Sequence, residues 1–260
     1  EKWFMPPTAE LASAMEYAPA TIAADALKDV MSPYAYGPFY RNPLEPVVRA
    51  FDYEDICSGG GPRLFVCATN VRTGKVRIFT RDEVTTDAIL ASACLPNLFQ
   101  AVEIEDPKTG KLEAYWDGGY SGNPALFPLF DPDLPEDVVI VNINPLERNE
   151  VPITPQQIEN RINEISFNSS LLRELRAIAF VQRLLKQGRL TAAEKSNVLI
   201  HMIADDDLMT DLSVATKLVP NGFFVDKLKE AGRATAHTFL SRHKQDLNSR
   251  STVNLEKMYG

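Results

Sequence analysis

Asp117 is the side chain whose setting points most directly to chemistry. It stands in Tyr115-Trp116-Asp117-Gly118-Gly119, directly after residues 112–116, which read as a strand. Open α/β sheets place their ligand crevice at such strand ends, and the two glycines let the backbone turn sharply and pack closely. A carboxylate held there takes a proton from a serine hydroxyl when it lies within hydrogen-bond reach and is partly desolvated. The same residues also describe an ordinary turn, in which the aspartate accepts from backbone amides of its own loop.

Other groups offer weaker chemistry. Ser58-Gly59-Gly60-Gly61-Pro62-Arg63 has successive amides able to cradle an anion, and it reads equally as a glycine-marked connection. His201 lies in the apolar run 198–203 and reads as a hydrogen-bonded core residue, while His237 and His243, on the last helix and its end, read as solvated. Asp205-Asp206-Asp207 lacks the glycine and closing glutamate of a calcium loop, so a helix cap or solvated loop is the simpler reading. Asn168-Ser169-Ser170 matches a glycosylation sequon but falls inside a predicted helix. The aromatic, proline-rich stretch 34–53 suits either the lining of an acyl pocket or surface packing.

The elements that would position Asp117 follow from periodicity. Residues 8–30 carry helical spacing broken by Pro19, and residues 32–46 hold four prolines among aromatics and read as loop. Residues 63–70 (RLFVCATN) read as a buried strand that turns through Thr73-Gly74 into a second strand over 75–80. Asp82 is a candidate cap for a short helix over 86–93, closed by Leu95-Pro96, and residues 102–105 and 112–116 flank a hairpin-like turn at 106–110. Residues 138–142 (VVIVN) and 198–203 (VLIHMI) are nearly continuous apolar runs, as in strands covered on both faces. Helical periodicity spans 154–187, its stripe suited to face a sheet, and a last helix opens at Asn221-Gly222. Strands alternating with helices predict a three-layer α/β/α fold with a mainly parallel central sheet, in which residues 64–68, 138–142 and 198–203 lie side by side.

Three stretches, Ala68 to Lys75, Ala91 to Phe99, and Tyr115 to Gly119 with Asn123-Pro124, together resemble the patatin-like phospholipase family. Ala68-Thr69-Asn70-Val71-Arg72-Thr73-Gly74-Lys75 is similar to the strand and turn that the family places after its nucleophile helix. Ala91-Ser92-Ala93-Cys94-Leu95-Pro96-Asn97-Leu98-Phe99 resembles its small-residue and proline segment, and Tyr115-Trp116-Asp117-Gly118-Gly119 with Asn123-Pro124 its aspartate motif. Asn144-Pro145-Leu146-Glu147 and Thr154-Pro155 look most like a bacterial branch. The resemblance implies a serine lipid acyl hydrolase with a Ser-Asp dyad, Asp117 its catalytic base, and no metal or other cofactor. It also implies a G-x-S-x-G elbow and a glycine-rich oxyanion loop ahead of the aspartate. Gly119-Tyr120-Ser121-Gly122 has the wrong glycine spacing for that elbow and follows Asp117. The expectation is therefore a single catalytic domain over residues 1–260, incomplete at the N-terminus, whose nucleophile serine is supplied by a preceding segment of the same protein.

Composition narrows the partners. With 27 Lys plus Arg against 35 Asp plus Glu, the formal charge of -8 disfavours nucleic acid. The 3 cysteines, Cys57, Cys67 and Cys94, lack paired zinc spacing and suit a reducing compartment. No apolar run reaches the ~18–20 residues of a membrane span, and the opening Glu1-Lys2-Trp3-Phe4 is unlike a signal peptide. A cytoplasmic acyl-ester hydrolase, with at most transient membrane contact, is the expectation. An intracellular polyhydroxyalkanoate depolymerase on the same fold and a catalytically silent α/β interaction module are the alternatives.

Overall fold

The computed structural model describes residues 32–54, 61–107, 109–191, 197–212 and 222–259. The helices expected over 8–30, Cys57, and most of the Ser58-to-Pro62 loop lie outside the described residues. The chain divides into two compact units, one within Asp25–Pro128 and the other within Leu129–Gly260. None of the described helices is long and apolar enough to cross a membrane.

In the first unit, a 3-10 segment, Pro33–Phe39, and one turn of helix α1, Glu45–Val48, precede the sheet. Strand β1 (Phe65–Asn70) turns into β2 (Val76–Thr80) through Gly74, whose φ of 67° lies in the left-handed region that glycine enters at little cost. Helix α2 (Thr86–Ser92) follows, and its first turn is capped by Thr85, whose hydroxyl accepts from the Ala88 amide at 3.3 Å. Asp82 lies instead in the 3-10 turn Arg81–Glu83, so the cap sits one turn later than its sequence candidate. Strands β3 (Val102–Asp106) and β4 (Lys111–Asp117) form the second hairpin. The order is β2-β1-β4-β3, and every pairing is antiparallel. Val66, Ala68, Phe79, Val84, Ala88, Ala91 and Tyr115 form the core between α2 and one face of this sheet.

In the second unit, β5 (Asp137–Asn142) and β6 (Leu199–Ala204) pair in parallel, joined by the crossover helix α3 (Pro155–Lys186). Thr154 and Gln157 cap α3 reciprocally, and Leu171 and Leu175 bury its middle. The Asn168 amide donates to the Pro145 carbonyl at 3.0 Å, and the Gln182 amide donates to that of Val198 at 2.7 Å, so α3 is tied to both loops that flank the strands. Helices α4 (Asp206–Asp211), α5 (Gly222–His243) and α6 (Leu255–Tyr259) complete this unit.

The expected three-layer α/β/α fold with a mainly parallel central sheet is overturned. The strands form one antiparallel sheet of four and a separate parallel pair. Residues 138–142 and 198–203 are parallel neighbours, as expected, but β1 belongs to the other sheet. The reason is connection length. The short links after β1 and β3 close antiparallel hairpins, because a parallel partner needs a crossover of about a dozen residues or more, such as the one that joins β5 through α3 to β6. The apolar character of β1 misled because, among the described residues, its second face meets the turn after β4. Val66 and Ala68 face α2, while the Cys67 thiol on the other side donates to the Gly122 carbonyl at 3.0 Å.

Candidate functional site

Asp117 ends β4 opposite Ala68 of β1. Facing residues of an antiparallel pair project to the same side, so its carboxylate lies on the face covered by α2 and the segment that follows it. That segment is turned by Cys94-Leu95-Pro96, and the Asp117 amide donates to the Cys94 carbonyl at 2.8 Å. On the other side of its Cα, the Asp117 carbonyl accepts from the Thr69 hydroxyl, also at 2.8 Å. Both main-chain groups are thus held from outside β4.

The chain then enters a 3-10 turn, Gly118–Tyr120, which Asp117 caps: Oδ1 accepts from the Gly119 amide at 2.7 Å. Among the described residues, Oδ2 accepts no hydrogen bond. Gly118 is buried against the main chain of Cys67, where a Cβ would collide with the Cys67 carbonyl oxygen. The glycine is required by close approach, not by a left-handed φ. Ser121 follows, its Oγ 2.8 Å from Thr69 Oγ1. Because the one Thr69 proton is directed to the Asp117 carbonyl, Ser121 is the donor of that pair.

Burial holds the Asp117 carboxyl above the usual range, opposed in part by the Gly119 amide. Cys94 is buried, its thiol donating to the Gln100 carbonyl at 3.2 Å. Burial, and then the charge of Asp117, push that thiol up to about 11. The Tyr120 phenol is raised by burial first and by Asp117 and Cys94 after it. The neighbours of Asp117 therefore stay neutral at physiological pH, and the carboxylate is the one charge of this small group. A base with a raised pKa, on a backbone fixed at both ends and with one oxygen uncommitted, is suited to accepting a proton from a group brought to it.

The remaining candidates are held elsewhere or differently. Ser121 does not bond to the Asp117 carboxylate but to Thr69. The phenols of Tyr34 and Tyr40 accept from the Ala101 and Gln100 amides, fastening the aromatic segment to the stretch that leads into β3, while Phe39 is 90% exposed. One open cavity, of about 390 Å³, is lined by Tyr53, Glu54, Asp82, Val84, Thr85 and Thr86. Another, of about 360 Å³, is lined by Ala204, Asp205, Asp206, Asp207 and Ala234, Thr235 and Thr238 of α5. Asp117 lines neither.

In the second unit, His201 is wholly buried, with Nε2 2.7 Å from Asp137 Oδ1 and Nδ1 3.2 Å from the Thr252 hydroxyl. It is a satisfied core residue. His237 is exposed, as expected for a solvated position, but His243 is half-buried and bonds to Asp246 at 2.8 Å. Asp205 caps α4 by accepting from the Leu208 amide at 3.0 Å. The sequon asparagine, Asn168, is buried in α3. Among the described residues, no cluster of three or more His, Cys, Asp or Glu side chains has an arrangement that holds a metal ion.

Sequence reasoning missed Thr69 and the main-chain oxygen of Cys94 as supports of Asp117. The signal for Thr69 was its hydroxyl in an otherwise apolar strand, since a buried hydroxyl needs a partner. A main-chain contact from Cys94 has no signal in side-chain types. Neither a protein-family model nor a curated protein matches this chain.

Proposed function

We propose that this chain carries the base of a Ser-Asp dyad and belongs to a serine-type lipid acyl hydrolase resembling the patatin-like phospholipases. The observation that supports it most is the state of Asp117. Its carboxylate is half-buried at a strand end, with Oδ1 held by the Gly119 amide and Oδ2 uncommitted among the described residues. A turn aspartate serving only its own loop has no need of a backbone fixed from two other segments.

In this reading Asp117 takes the proton from a serine hydroxyl as that oxygen attacks the ester carbonyl. It then returns the proton to the leaving alcohol as the tetrahedral intermediate collapses to an acyl-serine. Water, deprotonated by the same carboxylate, releases the acid. The serine and the oxyanion donors come from a segment of the same protein outside these residues. The substrate is an acyl ester of a glycerophospholipid or a related lipid.

The test uses protein expressed from the complete coding sequence. A fluorophosphonate should label one serine, and a short chromogenic ester should be hydrolysed. Asp117→Asn should slow that hydrolysis by at least about 100-fold, the lower range of a lost general base. Turnover near that of the wild type in this variant would remove Asp117 from the mechanism.

A further inference from the structure

We infer that Thr69 and Ser121 are positioning residues for Asp117, a two-hydroxyl brace that sets the direction of its carboxylate; this rests on reading Asp117 as the base. Thr69 is 7% exposed, one residue before the end of β1. Its side chain leaves the sheet on the face opposite α2, the same face as Cys67, and meets the turn after β4 from beneath. There the Thr69 hydroxyl donates to the Asp117 carbonyl at 2.8 Å and receives the Ser121 hydroxyl, also at 2.8 Å. The Ser121 amide in turn donates to the Gly118 carbonyl at 3.1 Å, closing a ring of bonds around the turn.

The consequence is geometric. The Asp117 amide is held by Cys94 on one side of the sheet and its carbonyl by Thr69 on the other, so rotation about both main-chain bonds of Asp117 is restrained. With Oδ1 fixed by Gly119, only one direction remains for Oδ2. A hydroxyl that served packing alone would affect how much protein folds. A hydroxyl that aims the carboxylate affects how fast each folded molecule turns over, because a displacement of about 1 Å in a reacting group costs on the order of 100-fold in rate.

The experiment compares Thr69→Val, Thr69→Ser, Ser121→Ala and Asp117→Asn in the complete gene product. Active sites are counted by fluorophosphonate labelling, and kcat, KM and the pH profile are measured on a short chromogenic ester. Thr69→Val keeps the shape and removes the donor. We expect its kcat per labelled site to fall by about tenfold or more, with KM changed less than about twofold. Its acid limb should move to lower pH as the loosened carboxylate gains water. Thr69→Ser should restore both properties, and Ser121→Ala should show a smaller loss in the same direction. Unchanged kcat per labelled site in Thr69→Val, or a loss that serine does not restore, overturns the inference. If Thr69→Val fails to fold, Ser121→Ala decides: unchanged kcat and an unchanged acid limb overturn it. An inactive Asp117→Asn beside a fully active Thr69→Val removes the brace and leaves the base. An active Asp117→Asn removes both.

Discussion

Gly118 packs on the main chain of Cys67 so closely that a Cβ at residue 118 would collide with the Cys67 carbonyl oxygen and crowd its Sγ at 2.5 Å. Backbone cannot rotate out of the way as a side chain can. Gly118→Ala must therefore part β1 from the turn after β4 or fail to fold. We expect a loss of about 1–3 kcal/mol in urea unfolding, the range for overpacking a close contact. Gly110→Ala is the comparison: its φ is 64° with open space around it, so only conformational strain of about 1–2 kcal/mol applies. A Gly118→Ala protein as stable as wild type would refute the close approach.

Asp117→Asn should leave the protein at least as stable as wild type at pH 7. The amide keeps an acceptor for the Gly119 amide and removes a charge that burial disfavours. The gain should be under about 1 kcal/mol, because solvent still reaches part of the group. The sign with pH follows from the raised folded-state value. Between the unfolded and folded pKa, the native state binds more protons than the unfolded one, so wild-type stability falls as pH rises through that window. The advantage of the asparagine variant should shrink on acidification. Chemical denaturation at pH 4 and pH 7 checks this, and an advantage that grows toward pH 4 would contradict it.

The buried pair Asp137 and His201 ties both strands of the parallel sheet to the chain near its end. Asp137 accepts from His201 and, through both oxygens, from the Asn248 amide at 3.0 and 2.9 Å. Asp137→Ala leaves Nε2 of the imidazole without its partner, with Thr252 still at Nδ1, and returns the exposed Asn248 amide to water. A cost of about 1–3 kcal/mol is expected, that of one buried polar group left unsatisfied. Thermal unfolding monitored by circular dichroism should show it, and a shift below one degree would count against the arrangement.

Cys94 should be inert in the folded protein. With a thiol pushed up to about 11 and no exposed surface to speak of, its thiolate fraction at pH 8 is about one in a thousand. Iodoacetamide at that pH should leave Cys94 unmodified by peptide mass spectrometry until denaturant is added. Rapid alkylation in buffer would show that the segment after α2 opens.

Local structure was legible in the sequence because its causes are local. The turn at Thr73-Gly74 and the 3.6-residue stripe over 154–187 predicted the first hairpin and the long helix α3. Residue type and position singled out Asp117 at the end of a strand, with glycines behind it. Pairing partners were not legible, since an apolar strand reads the same whether its second face meets a helix or a loop.

The sequence by itself therefore determined where the strands, the first hairpin turn and the long helices α3 and α5 fall, and that a carboxylate stands at a strand end before two glycines; the 3-10 segment Pro33–Phe39 and the helical turn Glu45–Val48 arise in a proline-rich stretch that reads as loop. Only the tertiary structure decided that β1 lies between β2 and β4 in an antiparallel sheet, and that the parallel β5–β6 pair forms a sheet of its own. It alone brought Thr69, Ser121 and the Cys94 carbonyl around Asp117, from positions 48 residues before to 4 residues after it in the case of the two hydroxyls. The physical reason is that capping and periodicity act over a few residues of chain. Strand pairing and the satisfaction of buried polar groups are settled by whichever distant segment arrives with the matching donor, acceptor or shape.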